Sequence, residues 1–348
     1  MGTLLYAQAV PVPTLVEQGV TKVPEAYVCF SDGFSGEVQD EERIPVIDLL
    51  DLESSHGRQR IVGEIERASR EWGFFQVTSH GVSEETMEGI VRAALEFFGQ
   101  PMEQRMELFS GEPKMNGTRY GTRLDETGVQ DWRDFLVVGK CHPLSEETFE
   151  TWPSNPPSFR SAALKYCQEI RALAFKVISL ASESLGLRPD RLEREFDPLD
   201  QLLLFNRYLP CPQPDLVLGV RSHCDQGLLN ILLIDDVPGL QMRKNEESPW
   251  VPISTNRRAL VVNFGDQMQI ATNKRYKSFE HRVLANPERA RLSISSFFNP
   301  AVEATIKPLP EFVDADHPSR YRPVSFGEYV KVYMARRLRK GTPESLES

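Results

Sequence analysis

Two kinds of hydrophobic spacing divide the chain near residue 200. Before that point, apolar residues recur every three or four positions in segments 58–71 and 159–185, which predicts amphipathic helices. The second segment carries one apolar stripe and is followed by Gly186, a common helix stop. Ser83 and the acidic residues after it predict another helix start, in SEETMEGIVRAALEFF. These patterns indicate a helical layer with the 159–185 helix as its backbone.

After residue 202 the apolar residues form short runs that are typical of β-strands. Gly, Pro, Asn or Asp separates these runs, which are LLLFNRYL, LLNILLI, LQMRK, WVPI, ALVVNFG, HRVLAN, RLSISSFF and ATIKPL. Two earlier runs, IPVIDLL and GFFQVTSHGV, also predict strands, and a capping box at Ser325 begins a last helix. The sequence therefore predicts an α+β fold in which helices support a sandwich or barrel. We expect residues 1–200 to be mainly helical with strands that join the barrel, 201–305 to form its core, and 306–348 to carry a closing helix.

Composition and charge narrow the class of partner. The 348 residues are 40% hydrophobic, and 40 basic against 50 acidic residues give a formal net charge of −10. This charge repels nucleic acid and anionic membranes, so we expect a small-molecule substrate, no nucleic acid and no membrane insertion. The five cysteines are an odd number without a C-x-x-C pair, which argues against disulfides and a zinc knuckle. Since MGTLLYAQAV lacks a charged leader and no long apolar run follows, we expect a cytoplasmic protein. We also expect a monomer.

The sequence RSHCDQGLL contains the first candidate for chemistry. His223 and Asp225 are two residues apart, so in a strand both side chains point the same way and Cys224 points aside. An isolated pair of this kind is more often a core histidine beside a turn-forming aspartate. His281 changes the interpretation because it lies in a second predicted strand of the same barrel. Two imidazoles and one carboxylate form the facial triad of non-haem Fe(II) oxygenases, which leaves coordination sites open for a co-substrate and O₂.

The run RLSIS supplies a second candidate. Arg291 and Ser293 share one face of a predicted strand, and an arginine that points into a barrel needs an anion as its partner. The planar guanidinium suits a carboxylate bound at two points, with the serine hydroxyl beside it. The alternative is an edge strand that leaves Arg291 in water. The residues by themselves leave both interpretations open.

The motifs HCD, EHRV and RLS, in this order, resemble the H-x-D…H and R-x-S motifs of plant-type 2-oxoglutarate- and Fe(II)-dependent oxygenases. IPVIDL, WGFFQVTSHGV, FNRYLPCPQP and VVNFGDQMQIATNKRYKSFEHRV resemble further parts of the family, so the resemblance covers about residues 45–300. It implies a double-stranded β-helix, or jelly-roll, barrel. It also implies iron ligation by His223, Asp225 and His281, and 2-oxoglutarate binding by Arg291, Ser293, Tyr208 and Asn206.

The resemblance implies an enzyme that uses Fe(II), 2-oxoglutarate and O₂, with ascorbate as reductant. Such enzymes release succinate and CO₂, and an Fe(IV)-oxo intermediate then hydroxylates or desaturates a substrate. Two alternatives stay open: an Fe(II) oxidase of the same fold that does not use 2-oxoglutarate, and a barrel that binds a metal or ligand without turnover. Cys224 stands where the family usually has threonine. Because its side chain should point away from the metal we expect little effect, although a thiol there would make the site more sensitive to oxidation.

The substrate is the part that the sequence determines least. TLVEQGVTKVPEAYV, LGLRPDRLEREF and CPQPDLVLGV resemble flavonoid-oxidising members, so a flavanone-type flavonoid is our first expectation. Phe297 continues the face begun by Arg291 and should line the pocket with an aromatic ring. Leu204 replaces a lysine of anthocyanidin and flavonol synthases, and Asn299 replaces an acid of anthocyanidin synthase. Gibberellin-type, alkaloid and other specialised metabolites therefore stay open as substrates.

Overall fold

The computed structural model describes residues 10–30, 42–108, 117–121 and 129–337, with side chains as far as Tyr333. The expectations for the leader sequence and for the end of the closing helix concern residues that lie almost entirely outside these ranges. Within the described ranges, no helix has both the length and the apolar character that a bilayer-spanning segment requires.

The strands follow the predicted runs. All eight runs after residue 202 contain a strand, as do the two earlier runs, so these predictions are confirmed. In chain order the described strands are β1 Val46–Asp48, β2 Phe74–Thr78, β3 Arg119–Gly121, β4 Asp134–His142, β5 Leu199–Tyr208, β6 Leu218–His223, β7 Leu229–Ile234, β8 Leu240–Arg243, β9 Val251–Pro252, β10 Leu260–Phe264, β11 Glu280–Leu284, β12 Arg291–Pro300, β13 Thr305–Ile306 and β14 Val324–Ser325.

The predicted helix starts are confirmed by their caps. The Ser83 hydroxyl accepts a hydrogen bond from the backbone N–H of Thr86, and the Ser325 hydroxyl accepts one from Glu328. The described helices are α1 Val12–Glu17, α2 Ser55–Glu71, α3 Glu84–Phe98, α4 Met102–Met106, α5 Glu146–Glu150, α6 Phe159–Ser184, α7 Arg191–Phe196, α8 Asp266–Ala271 and α9 Phe326–Arg337.

Two main sheets form the predicted jelly roll. The larger has eight strands in the order β1-β2-β10-β7-β12-β5-β4-β3, and the smaller has four in the order β6-β11-β8-β9. Neighbours in these sheets are mostly distant along the chain, as expected when two sheets close around one interior. Residues of both sheets line a common cavity, which is where the candidate chemistry lies.

Helix α6 is the central support of the larger sheet. It packs against α2, α3 and α7 and also contacts β5, β7 and β12. Its apolar stripe is fully buried at Ile170, Ala174, Val177 and Ala181, as the helical spacing predicts. Gly186 follows with a φ of 77°, a left-handed conformation that glycine adopts without strain and that ends the helix. The helix thus holds one face of the sheet while the other faces the cavity.

Strand β4 is the main element that the sequence analysis did not predict. Its sequence, DFLVVGKCH, is buried at its first six positions, so it lacks the alternation of a half-buried strand. β4 pairs with β5, and the short strand β3 pairs with β4 at the sheet edge. As a result, residues of the predicted helical region contribute two strands to the cavity wall.

Candidate metal and co-substrate site

The three predicted metal ligands lie together. His223 ends β6 and pairs directly with His281 of β11 across the smaller sheet. Asp225 Oδ1 is 3.6 Å from His223 Nε2 and 3.7 Å from His281 Nε2, and ligand atoms of all three lie within 4.8 Å of one another. Two ligand atoms on one divalent ion are at most about 4.4 Å apart, and both Asp225 distances lie below this limit, so this donor set suits a single metal ion.

The reason for this convergence differs from the expected one. The sequence analysis placed His223 and Asp225 on the same strand face, but β6 ends at His223. Asp225 lies in the turn that follows, where its backbone carbonyl accepts a hydrogen bond from the N–H of Asp266. Gly265 allows the backbone to pack closely on this turn, because a Cβ there would lie 2.7 Å from the Asp225 carbonyl oxygen and 2.3 Å from that of Gly227. The carboxylate therefore reaches the histidines through the turn and not through strand alternation.

Hydrogen bonds orient each candidate ligand. The Nδ1 atom of His223 lies 2.9 Å from the Arg221 carbonyl, and that of His281 lies 3.3 Å from the Phe279 carbonyl. Each histidine therefore presents Nε2 toward Asp225, as metal-binding histidines with a bonded second nitrogen do. Asp225 Oδ2 accepts a hydrogen bond of 2.8 Å from Asn263 Nδ2, which leaves Oδ1 toward the histidines.

A buried carboxylate, Asp131, connects the two ends of the site. Its Oδ1 accepts hydrogen bonds from the Arg221 backbone N–H at 3.1 Å and from Arg221 Nε at 2.9 Å. Its Oδ2 pairs with Arg133 Nη2 at 3.3 Å, and Arg133 Nη1 donates to Asn206 Oδ1. The Asn206 amide then lies 3.4 Å from Ser293 Oγ. Asp131 thus holds both the segment before His223 and the arginine that orients Asn206.

We expect Asp131→Asn to lower the free energy of unfolding by about 3 kcal/mol, because it removes the negative charge that pairs with the buried Arg133 and the half-buried Arg221. Urea unfolding followed by circular dichroism measures this change. Asp236→Asn is the matched control. Asp236 also pairs with two arginines, Arg257 and Arg289, but solvent reaches all three side chains, so its loss should cost far less stability. Equal losses in both variants would contradict the assigned role of Asp131.

The second predicted cluster lies at the inner end of the cavity. Arg291 is 2% exposed, and β12 lies between β5 and β7, so the alternative of an edge arginine in water is wrong. Its Nε donates to the Val237 carbonyl at 3.2 Å, and its guanidinium lies 5.0 Å from the centre of the Tyr208 ring. Among the described residues, the buried Nη1 of Arg291 has no hydrogen-bond partner. A buried guanidinium nitrogen that opens on a cavity fits a carboxylate ligand.

One cavity of about 600 Å³ joins the two clusters. The predicted pocket residues Phe297, Leu204 and Asn299 all line it, and so do Tyr208, Asn206 and Ser293. On β12 the lining residues are every second one from Arg291 to Asn299, which is the alternation that the sequence analysis expected.

Several lining residues were missed by the sequence analysis. Strands β3 and β4 contribute Arg119, Phe135 and Val137, and the segment just before β4 contributes Arg133. The signal was present, since Arg133, Phe135 and Val137 alternate within WRDFLVV. Helix α9 contributes Val330, Lys331 and Tyr333, and no sequence pattern indicated that the closing helix reaches the cavity.

The closing helix is attached to the turn that carries Asp225. The Tyr333 hydroxyl donates to the Cys224 carbonyl at 2.7 Å, and the Tyr329 hydroxyl donates to Asp266 Oδ2 at 2.5 Å. Burial raises the pKa of Asp266 to about 6, although the Tyr329 hydrogen bond acts in the opposite direction. Burial also raises the pKa of the Cys224 thiol, which does not line the cavity. The Cys224 sulfur lies 3.8 Å from the Ser278 carbonyl oxygen, so this side chain points aside from the candidate ligands, as expected.

Comparisons with known proteins agree with this geometry. Residues 199–300 match the model of the 2OG-Fe(II) oxygenase superfamily, and residues 44–158 match that of the non-haem dioxygenase in morphine synthesis N-terminal region. Protein DMR6-LIKE OXYGENASE 2 of Arabidopsis thaliana is 38% identical over 84% of this chain and 83% of its own length. Flavanone 3-dioxygenase 2 of Oryza sativa subsp. japonica is 35% identical over 86% of each chain.

A solved structure matches over nearly the whole length. The crystal structure of JOX2 in complex with 2OG, Fe and JA has 34% sequence identity and a TM-score of 0.86, and covers 98% of each chain. Sequence identity of this size, over most of the length of both proteins, shows that this chain and these relatives share a family. The chain therefore belongs to the 2OG-Fe(II) oxygenase superfamily and is a 2-oxoglutarate- and Fe(II)-dependent dioxygenase, an oxidoreductase.

Proposed function

We propose that this protein oxidises a small, largely apolar metabolite at an iron centre held by His223, Asp225 and His281. The observation that carries the proposal is the shared cavity. The three candidate ligands line the same cavity as Arg291, whose buried Nη1 has no hydrogen-bond partner among the described residues. A barrel without turnover would have no use for a buried, unsatisfied guanidinium beside its metal ligands.

Arg291 and Ser293 bind the carboxylate of 2-oxoglutarate that lies far from the metal. The guanidinium is held by Val237 and by the Tyr208 ring, so it meets the carboxylate without reorganisation. Asn206, held by Arg133, presents its amide toward the Ser293 hydroxyl and limits the orientations of that group. Bound iron supplies the activation of O₂ by electron transfer, which the side chains cannot provide.

The organic substrate occupies the part of the cavity beyond the co-substrate. Leu202, Leu204, Val137 and Phe297 line this part, and they exclude water and offer apolar contact area. A flavanone-type flavonoid fits such a wall, and flavanone 3-dioxygenases are among the relatives. Carboxylic acids are the second candidate, because a related structure contains JA and because cationic side chains also line this part of the cavity.

Succinate formation tests the proposed reaction. We expect the purified protein to convert 2-oxoglutarate to succinate and CO₂ when Fe(II), ascorbate, O₂ and a substrate are present. The conversion should stop when a chelator removes the iron and resume when Fe(II) is added back. A panel that contains a flavanone, a gibberellin-type acid and small aromatic acids measures substrate choice in the same assay. Product formation without any 2-oxoglutarate consumption would instead favour the oxidase alternative.

A further inference from the structure

A cationic side chain, Arg119, lines the cavity far from the co-substrate clamp. It lies on β3 opposite Val137, and the row continues through Leu204 on β5 to Ser295 on β12. Ser295 is four residues from Arg291, or roughly 13 Å along the strand, and β3 is three strand spacings, or roughly 14 Å, from β12. A five-carbon dicarboxylate held at Arg291 therefore does not reach Arg119. This arginine faces the region proposed for the organic substrate.

The guanidinium of Arg119 is held over an aromatic ring. Its central carbon lies 5.6 Å from the centre of the Phe135 ring, and the corresponding carbon of Arg133 lies 5.5 Å from the same ring. Cation–π contacts of this kind are attractive and limit the orientations of the side chain. Arg119 is half-buried and already positioned. Its side chain therefore loses little further conformational entropy when an anion binds to it.

The closing helix contributes a second cation to the lining of the same cavity. Lys331 of α9 lines the cavity and is exposed at its mouth. The same helix is attached to the metal-ligand turn by the hydrogen bond from Tyr333 to the Cys224 carbonyl, so the lysine is carried at a defined place relative to the candidate ligands. Among the described residues that line the cavity, Asp225 is the one carboxylate, whereas four side chains are cationic: Arg119, Arg133, Arg291 and Lys331.

Apolar side chains follow Arg119 along its row. Leu204, which replaces a lysine of anthocyanidin and flavonol synthases, pairs with Val137, which is apolar as well. The cation of this row lies two strands away, at Arg119. An acidic substrate would then place its apolar body against Leu204 and Val137 and extend its charged group toward the sheet edge.

We propose that Arg119 and Lys331 form a carboxylate-binding subsite for the organic substrate, so that the substrate is a small apolar acid. This inference rests on the proposed function and deepens it by naming the substrate class. The guanidinium donates two parallel hydrogen bonds to one carboxylate, and the Lys331 ammonium, which lines the same cavity from a different element, adds positive charge. A neutral ester or an un-ionised phenol of the same shape gains neither contribution.

Calorimetric titration tests the subsite independently of turnover. The protein, loaded with Fe(II) and 2-oxoglutarate without oxygen, is titrated with arylalkanoic acids of increasing chain length, with their methyl esters, and with a neutral flavanone. We expect at least one acid to bind about tenfold or more tightly than its ester. Arg119→Gln and Lys331→Gln should each remove most of this preference, and Arg119→Lys should retain part of it because the charge remains.

Lys307→Gln is the matched control, since Lys307 is exposed and does not line the cavity, and it should keep the full preference of acid over ester. Lys331 is also exposed, so its variant should fold normally even if Arg119→Gln does not. Equal affinity for acids and esters, no binding of any acid at millimolar concentration, or a flavanone that binds more tightly than every acid would each overturn the subsite. Succinate formation by the same preparations tests the proposed reaction separately. If succinate still forms although acids and esters bind equally, the subsite is wrong and the proposed reaction stands.

Discussion

Replacement of His281 by alanine is expected to lower turnover by at least about 100-fold while the protein stays folded. Mutation of a residue that hydrogen-bonds to a metal ligand already lowers metal affinity or activity by about 10–100-fold, and loss of the ligand itself should lower them further. The fold should persist because its stability comes from the apolar residues of the sheets and of α6, not from the metal cluster. Succinate formation measures turnover, and circular dichroism measures folding. We expect the same result for His223→Ala and Asp225→Ala.

A second histidine provides the control for this prediction. His317 is exposed, pairs with Asp314, and does not line the cavity. His317→Ala should therefore retain full activity under the same conditions. Direct titration of each variant with Fe(II) without oxygen adds a readout that does not depend on turnover. Full activity or unchanged iron affinity in His281→Ala would remove His281 from the metal site.

Arg291→Lys is expected to raise the apparent KM for 2-oxoglutarate by about 10- to 100-fold and to change that for the organic substrate little. An ammonium keeps the charge but cannot make the planar two-point contact with a carboxylate. It also cannot reproduce both the bond to the Val237 carbonyl and the packing on Tyr208. This increase in KM corresponds to a loss of about 1.4–2.7 kcal/mol in the binding free energy of 2-oxoglutarate. Steady-state kinetics with each substrate varied in turn measure the two effects.

Arg207→Lys is the matched control for the clamp. Arg207 precedes Tyr208 on β5 and pairs with Leu292 beside Arg291, but strand alternation turns it away from the cavity. Because Arg207 does not line the cavity, its replacement should leave both KM values within about twofold, which corresponds to about 0.4 kcal/mol of binding free energy. Equal increases for 2-oxoglutarate and for the organic substrate in Arg291→Lys would mean that Arg291 does not act as the co-substrate clamp.

Local patterns in the sequence predicted most elements of the fold. The 159–185 helix, its Gly186 stop, the caps at Ser83 and Ser325 and the strands of the barrel depend on spacing and on local hydrogen bonds. These features are encoded within a few residues of each element. The same was true of the inward face of β12, where every second residue from Arg291 lines the cavity.

The resemblance of short motifs supplied the family and the candidate residues, but not the geometry that brings them together. His223 and His281 meet because β6 and β11 are neighbours in the smaller sheet, a pairing that neither segment specifies alone. Asp225 reaches them from a turn that packs on Gly265 and accepts a hydrogen bond from the backbone N–H of Asp266. Each of these contacts joins residues that are distant in sequence.

The composition of the substrate region was decided by the tertiary structure alone. Arg119 faces the cavity only because β3 joins the edge of a sheet built mainly from later strands, and Lys331 faces it only because α9 is attached at Cys224. Helical or strand spacing indicates that one face of an element is buried, but not which other element covers it. For this reason the sequence by itself determined the elements and, through their motifs, the reaction class, whereas the charges around the substrate follow from long-range packing.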